Sequence, residues 1–283
     1  MAQDAMSTSV LTIVRNRAGH LAQLVEGLRR SDAAPRELIV VDMGSTVPVS
    51  VEETPFPCRI ERLDCEGLPL AAARNAAARA AKGDTLLFLD VDCIPMRGLI
   101  AAMTDVLDSE DGLVCAQVRY LGQDDARSDW GEADLLARSS GHPARRFPAS
   151  GLRRVENAGL FWSLVFGIRR ERYAGLGGFD EAFTGYGAED TDFGFRAKAA
   201  HVPLLFMGGP GAFHQHHDVF EPPLRHFNDI LRNARTFHDK WGTWPMDGWL
   251  SAFAQSGLVE WDGRSLIKLR DPTRKEIADA LVD

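Results

Sequence analysis

The run Gly83-Asp84-Thr85-Leu86-Leu87-Phe88-Leu89-Asp90-Val91-Asp92-Cys93-Ile94-Pro95 constrains this chain more than any other stretch. Thr85 to Leu89 is a short apolar segment without polar alternation, which predicts a strand buried on both faces. Proline cannot continue such a strand, so Asp90 and Asp92 fall at its carboxyl end, the rim where open α/β sheets bind ligands. In extended chain the two aspartates share a face and converge on one ligand. Like charges held that close need a positive partner. A hard divalent cation carrying a phosphate ligand supplies one. Aspartate is also common at plain strand-to-turn junctions, so the motif takes its meaning from its surroundings.

At 283 residues the chain can bury a large core. Its formal net charge of −8, from 32 basic and 40 acidic residues, argues against nucleic acid as a partner. An anionic ligand is still compatible, because a bound cation reverses the local sign. No apolar run is long enough to span a bilayer, although peripheral membrane contact stays open, and the polar amino terminus lacks a signal-peptide pattern. Cys58, Cys65, Cys93 and Cys115 lack Cys-x-x-Cys spacing, which suits reduced thiols in a cytoplasmic enzyme better than a zinc knot.

Strand and helix alternate through the first part. Ser9 to Arg15 reads as a strand, His20 to Arg30 as a helix with apolar spacing at Leu21, Leu24, Val25 and Leu28, and Glu37 to Val41 as a second buried strand. That strand closes in Asp42-Met43-Gly44-Ser45, a loop suited to close approach of backbone and ligand, or a simple turn. Arg59 to Leu63 follows as a short strand. A helix then runs between Pro69 and Gly83, its alanines packing on a sheet while Arg74 and Asn75 interrupt them. The pattern predicts an α/β fold with a mostly parallel central sheet and helices on both faces. Gly98 to Leu107 reads as a helix and Gly112 to Tyr120 as a strand. Leu121 to Arg154 reads as a lid or insertion, helical over 131–138, with Arg145, Arg146, Arg153 and Arg154 in a solvated loop or within reach of a diphosphate.

Phe161 to Ile168 is expected to be a strand, and Arg169 to Ala174 a short helix. The second informative stretch is Phe183-Thr184-Gly185-Tyr186-Gly187-Ala188-Glu189-Asp190-Thr191-Asp192. Its glycines permit tight turns, and Glu189-Asp190 opens a helix to about Ala200. Capping and the helix dipole account for one acid there, but less well for Glu189, Asp190 and Asp192 together. Val202 to Met207 reads as a strand, Gly208-Gly209-Pro210-Gly211 as a turn, and His214-Gln215-His216-His217 as a metal-binding segment. In extended chain His214 and His216 point the same way, and His217 replaces one of them if the backbone turns. From Pro222 the chain reads as helices carrying Trp241, Trp244, Trp249 and Trp261, mostly core, with one tryptophan near the site able to stack on a sugar.

Taken together, the Asp42 strand end, the Arg74-Asn75 helix, Asp90-Val91-Asp92 and Gly185 to Arg196 resemble a family 2 glycosyltransferase of the GT-A fold. The last stretch is also similar to the carboxyl-terminal catalytic motif of β-1,4-galactosyltransferases and polypeptide N-acetylgalactosaminyltransferases. The resemblance implies a metal-dependent, inverting transferase that uses a nucleotide-diphosphate sugar, a UDP-sugar of galactose or N-acetylgalactosamine type, and a saccharide or other hydroxyl acceptor. It implies Mn²⁺ or Mg²⁺ on Asp92 with His214 or His216, and donor contacts from Asp42 to the base, Asp90 to the ribose and Arg74 to the nucleotide. Asp190 becomes the catalytic base and Glu189 an acceptor contact. The implied organisation is a nucleotide-sugar half over 1–120, an acceptor-binding and catalytic half over 121–220, and a helical extension over 221–283. The second strand ends Asp-Met-Gly-Ser where the family often has Asp-Asp-Gly-Ser. Three rivals compete: an aspartyl phosphatase using Asp90, a nucleotidyltransferase, and a non-catalytic sugar- or nucleotide-binding relative. Ile94 stands against the first, and the glycine-poor Asn16-Arg17-Ala18-Gly19 turn against the second.

Overall fold

A computed structural model describes residues 6–65, 67–127 and 129–282. In chain order the first elements are β1 (Thr8–Val14), α1 (Ala18–Arg29), β2 (Glu37–Asp42), β3 (Cys58–Arg62), α2 (Leu70–Ala80), β4 (Thr85–Leu89), β5 (Cys93–Pro95), α3 (Leu99–Ser109) and β6 (Leu113–Tyr120). Next come α4 (Glu132–Arg138), β7 (Ser140–Gly141), β8 (Leu152–Val155), β9 (Val165–Arg169), α5 (Arg170–Gly175), α6 (Glu189–Ala199) and β10 (Leu204–His214). The last part holds β11 (Val219–Phe220), α7 (Phe227–Trp241), α8 (Asp247–Gln255), β12 (Val259–Trp261), β13 (Leu266–Lys268), α9 (Arg274–Asp279) and β14 (Leu281–Val282).

The main sheet runs β3-β2-β1-β4-β9-β6-β10-β5. β3, β2, β1 and β4 pair in parallel, as the strand–helix alternation requires. β9 lies antiparallel between β4 and β6, and β10 runs parallel to β6. Alternation along each strand splits the core into two layers. Leu87 and Leu89 of β4 face Leu21, Leu24 and Leu28 of α1 and Leu99 and Met103 of α3. Leu86 and Phe88 face the other way, toward Ala73 and Ala77 of α2, Tyr173 of α5 and Phe193 of α6. The small alanines let α2 sit close on the sheet, which brings Arg74 to the rim where β1, β2 and β4 end.

Three local expectations fail for physical reasons. Gly208 to Gly211 do not end a strand. β10 runs through them with a register shift between Met207 and Ala212, and a Cβ on Gly211 would lie 1.9 Å from the Gln117 carbonyl oxygen. The glycines form a bulge pressed against β6, not a reversal. Residues 152–155 are a strand, β8, antiparallel to the first part of β10, so any lid is shorter than 121–154. Phe161 lies before β9 rather than in it, since a short 3₁₀ turn over Ala158–Leu160 delays the strand to Val165. The carboxyl-terminal segment, read as helical, also contains the β12–β13 hairpin and pairs β14 with β11. No helix among the described residues is long and apolar enough to cross a membrane.

Candidate active site

A cavity of about 1100 Å³ opens at the carboxyl ends of the parallel strands. Its walls bring together Arg17 after β1, Arg74 on α2, Asp90 and Asp92 after β4, Glu189 and Asp190 on α6, and His214 and His217 around the end of β10. The carboxyl-terminal segment closes the far side with Trp244, Met246 and Trp249.

Asp90-Val91-Asp92 is a tight turn rather than extended chain: the Cys93 N–H donates to the Asp90 carbonyl at 2.8 Å. The shared-face expectation therefore fails, and the turn separates the two carboxylates into different electrostatic neighbourhoods. Asp92 lies against a guanidinium and two imidazoles. Arg17 Nη1 donates to its Oδ2 at 2.5 Å, His214 Nε2 lies 3.4 Å from Oδ1, and His217 Nε2 lies 3.6 Å from Oδ2. Burial pushes the Asp92 carboxyl up, but His214, Arg17, His217 and His20 outweigh it and hold it below its usual range. Burial keeps His217 below the ordinary histidine range, with Arg17 adding to it, so its imidazole is neutral near pH 7.

Ligand atoms of Asp92, His214 and His217 all lie within 4.8 Å of one another. His216 is not among them. β10 ends at His214 and the chain turns, so alternation no longer applies, and what His216 offers is a backbone carbonyl facing His20 Nε2 at 3.2 Å. One carboxylate and two imidazole nitrogens at this spacing fit a divalent first-row ion such as Mn²⁺. Mg²⁺ prefers an all-oxygen shell, so the donor set favours the manganese alternative.

Asp90 has the opposite surroundings. Arg74 Nη2 reaches its Oδ1 at 3.3 Å while Nη1 donates to Glu189 Oε1 at 3.0 Å. One guanidinium thus serves a cluster of three acids, Asp90, Glu189 and Asp190. Burial, with Asp92 and Glu189 adding like charge against the pull of Arg74, pushes Asp90 up to about 7. Burial likewise raises Asp190, against Arg74 and the N–H groups of Thr191 and Ser163, and raises Glu189, where Asp190 adds to it. Burial thus raises the proton affinity of all three acids, which share one guanidinium.

The chain spends conformational energy on this corner. Ala188, at the start of α6, has φ 70°, and Gly185 and Gly187 have φ 75° and 98°. A Cβ on Gly185 would fall 2.3 Å from the Asp229 carboxylate. α7 fastens the loop from outside: Asn233 Nδ2 donates to the carbonyls of Thr184 (3.0 Å), Tyr186 (3.3 Å) and Gly187 (2.8 Å).

Several residues singled out in the sequence serve elsewhere. Asp42 does not line the cavity. Only 2% exposed, it accepts from the Ser45 N–H at 2.8 Å and lies 3.5 Å from Arg62 Nη1, so it ties its own loop while Met43 faces the cavity. Arg74 stays at the cavity wall, its guanidinium paired with Asp90 and Glu189. Asn75 bonds Phe179, Glu181 and Tyr173, a structural knot. Asp192 is fully buried and bonds Arg196 and Trp241. Arg145 is buried too, its guanidinium 5.0 Å from the Trp162 and Phe206 ring centroids. Arg17, His20 and Trp162 escaped sequence reasoning. The one available signal was the pair of basic residues, Arg15 and Arg17, in the turn after the first strand.

The profile described as "Glycosyl transferase family 2" matches residues 9–173, and that described as "N-terminal domain of galactosyltransferase" matches residues 150–218. Validoxylamine A glucosyltransferase of Streptomyces hygroscopicus subsp. limoneus is 28% identical over 224 residues, covering 69% of this chain and 49% of that protein. Chondroitin synthase of Pasteurella multocida (strain Pm70) is 24% identical over 227 residues, covering 71% of this chain and 23% of that protein. The chain thus spans half or less of these two relatives. Among solved structures, GalNAc-T7 with UDP, GalNAc and Mn²⁺ superposes with a TM-score of 0.57 at 17% identity, over 75% of this chain and 44% of that one. S. aureus TarS 1-349 in complex with UDP-GlcNAc gives 0.54 at 16% identity, over 83% and 73%. Both share the GT-A fold with this chain.

Proposed function

This chain belongs to glycosyl transferase family 2, and from that premise we propose a metal-assisted, inverting transfer of a sugar from a UDP-sugar to an acceptor hydroxyl. The observation that carries the reading is the single cavity lined both by Asp92, His214 and His217 and by Glu189 and Asp190. Mn²⁺ and UDP in the GalNAc-T7 structure and UDP-GlcNAc in that of TarS support the donor class, and the resemblance of the motif over 183–196 supports a galactose or N-acetylgalactosamine donor.

Asp92, His214 and His217 would hold the ion, which when bound offsets the charge that builds on a departing diphosphate. The acceptor oxygen forms a bond to the anomeric carbon as the bond to the diphosphate oxygen breaks. Asp190 takes the hydroxyl proton, and one displacement inverts the centre. Burial makes Asp190 a stronger base than a solvated carboxylate. Glu189 fixes Arg74, and the pair keeps the three-acid corner from repelling itself apart. Asp90, at the open side of that corner with 26% of its side chain exposed, faces the ribose side of the donor.

The test is calorimetry of UDP with and without Mn²⁺, paired with product analysis from UDP-galactose and UDP-N-acetylgalactosamine. UDP binding that depends on Mn²⁺ and is lost in Asp92→Ala supports the reading. A chain that binds UDP–Mn²⁺ but neither transfers nor hydrolyses any UDP-sugar would be the non-catalytic relative.

A further inference from the structure

Asp92 Oδ2 already carries a cation. Arg17 Nη1 lies 2.5 Å from it, and His217 Nε2 lies 3.6 Å from the same oxygen. A divalent ion held by Asp92, His214 and His217 must compete with that guanidinium for one carboxylate, because two positive groups on it repel. Arg17 is placed there by the backbone. Asn16 has φ 54° and is stapled to the loop after β2: its N–H donates to Ser45 Oγ at 2.9 Å, and its Oδ1 accepts from the Thr46 N–H at 2.8 Å. The Arg17 side chain is nevertheless 34% exposed and lines the cavity, so it can leave Asp92 without unpacking the core. Asp92 is the one carboxylate that Arg17 and the ion would share, so its single negative charge cannot balance both. A divalent ion together with the Arg17 guanidinium exceeds the single charge of Asp92 and calls for an anion. A guanidinium matches phosphate oxygens in a planar, bidentate manner.

We propose that Arg17 is a placeholder: it holds Asp92 in the cation-free protein and transfers to the donor's diphosphate when a divalent ion takes that carboxylate. This rests on the metal-assisted reading above. Cation and nucleoside diphosphate then bind synergistically, and the coupling is equal in both directions. The diphosphate draws Arg17 off Asp92, and the ion frees Arg17 to meet the diphosphate. Arg17 is thereby a positioning residue for donor binding.

The experiment is Mn²⁺ titration of the full chain, by calorimetry and by electron paramagnetic resonance of free Mn²⁺, with and without UDP. It uses wild type, Arg17→Ala, Arg17→Gln and His217→Ala. Arg17 makes no side-chain cap bond at the start of α1, and the glutamine variant guards against a local collapse in the alanine one. In wild type, UDP should tighten Mn²⁺ binding by about tenfold or more, a normal size for coupled sites. Both Arg17 variants should bind Mn²⁺ alone several-fold more tightly than wild type and lose most of the gain from UDP. If both bind Mn²⁺ alone no better than wild type, while His217→Ala loses it, the placeholder is wrong and the metal site stands. If wild type takes up no Mn²⁺ with or without UDP, or His217→Ala binds it unchanged, the metal-assisted reading falls and the placeholder with it.

Discussion

Asp190 and Asp192 lie on the same turn of α6 and play different parts. Asp192 is fully buried and bonded to Arg196 Nε and Trp241 Nε1 at 2.8 Å each. Asp190 faces the cavity and, among the described residues, bonds only the Thr191 side chain, its Oδ1 also accepting the Thr191 N–H at 2.6 Å. As a base Asp190 works only when ionised, and burial raises its proton affinity. The rising limb of the kcat/KM–pH profile should therefore lie above the ordinary carboxylate range, toward neutrality; a limb at or below pH 4 would contradict the assignment. Asp190→Asn should keep UDP–Mn²⁺ affinity and lose about two orders of magnitude or more in turnover, checked by single-turnover kinetics. From sequence, three acids at a helix start could be seen to exceed what capping explains. Which one was structural could not, because the partner Trp241 comes from a different helix.

At the scale of elements, α6 is held at both ends by unusual backbone. Past its C-terminus His201 has φ 59° while Val202 N–H donates to the Ala197 carbonyl at 2.8 Å, the position where helices prefer glycine. The side chain is exposed, so His201→Gly should stabilise by about 1 kcal/mol, raising Tm by roughly 2 °C; an unchanged or lower Tm in a calorimetric scan would refute the strain. At the other end Asn233→Ala removes its donors to three loop carbonyls and should cost about 1–3 kcal/mol. A chemical-denaturation midpoint equal to wild type would mean the loop is held without α7. β1, β2 and β4 were legible because doubly buried strands leave continuous apolar runs. β10 was not, since glycine and proline in a bulge pressed on a neighbouring strand look the same, locally, as those in a turn.

Over the whole molecule, residues far apart in the chain meet because the sheet order places the ends of β1, β4 and β10 on one rim. The alternating pattern foretold that rim with Asp92 on it, while Asp190 and His214 were implied by the family resemblance; all three line one cavity. It could not foretell that His217 rather than His216 completes the trio, that Asp42 turns inward, or that Arg17 covers Asp92. Each depends on where a loop turns after its strand. The tryptophan-bearing carboxyl-terminal segment supplies the far wall with Trp244 and Trp249. The most direct measurement is an anomalous difference map from crystals grown with UDP and Mn²⁺. It should show one peak among Asp92, His214 Nε2 and His217 Nε2, with the diphosphate beside it and Arg17 displaced toward the phosphates. Nucleotide bound in this cavity with no manganese peak at Asp92, or a peak elsewhere, would contradict the account.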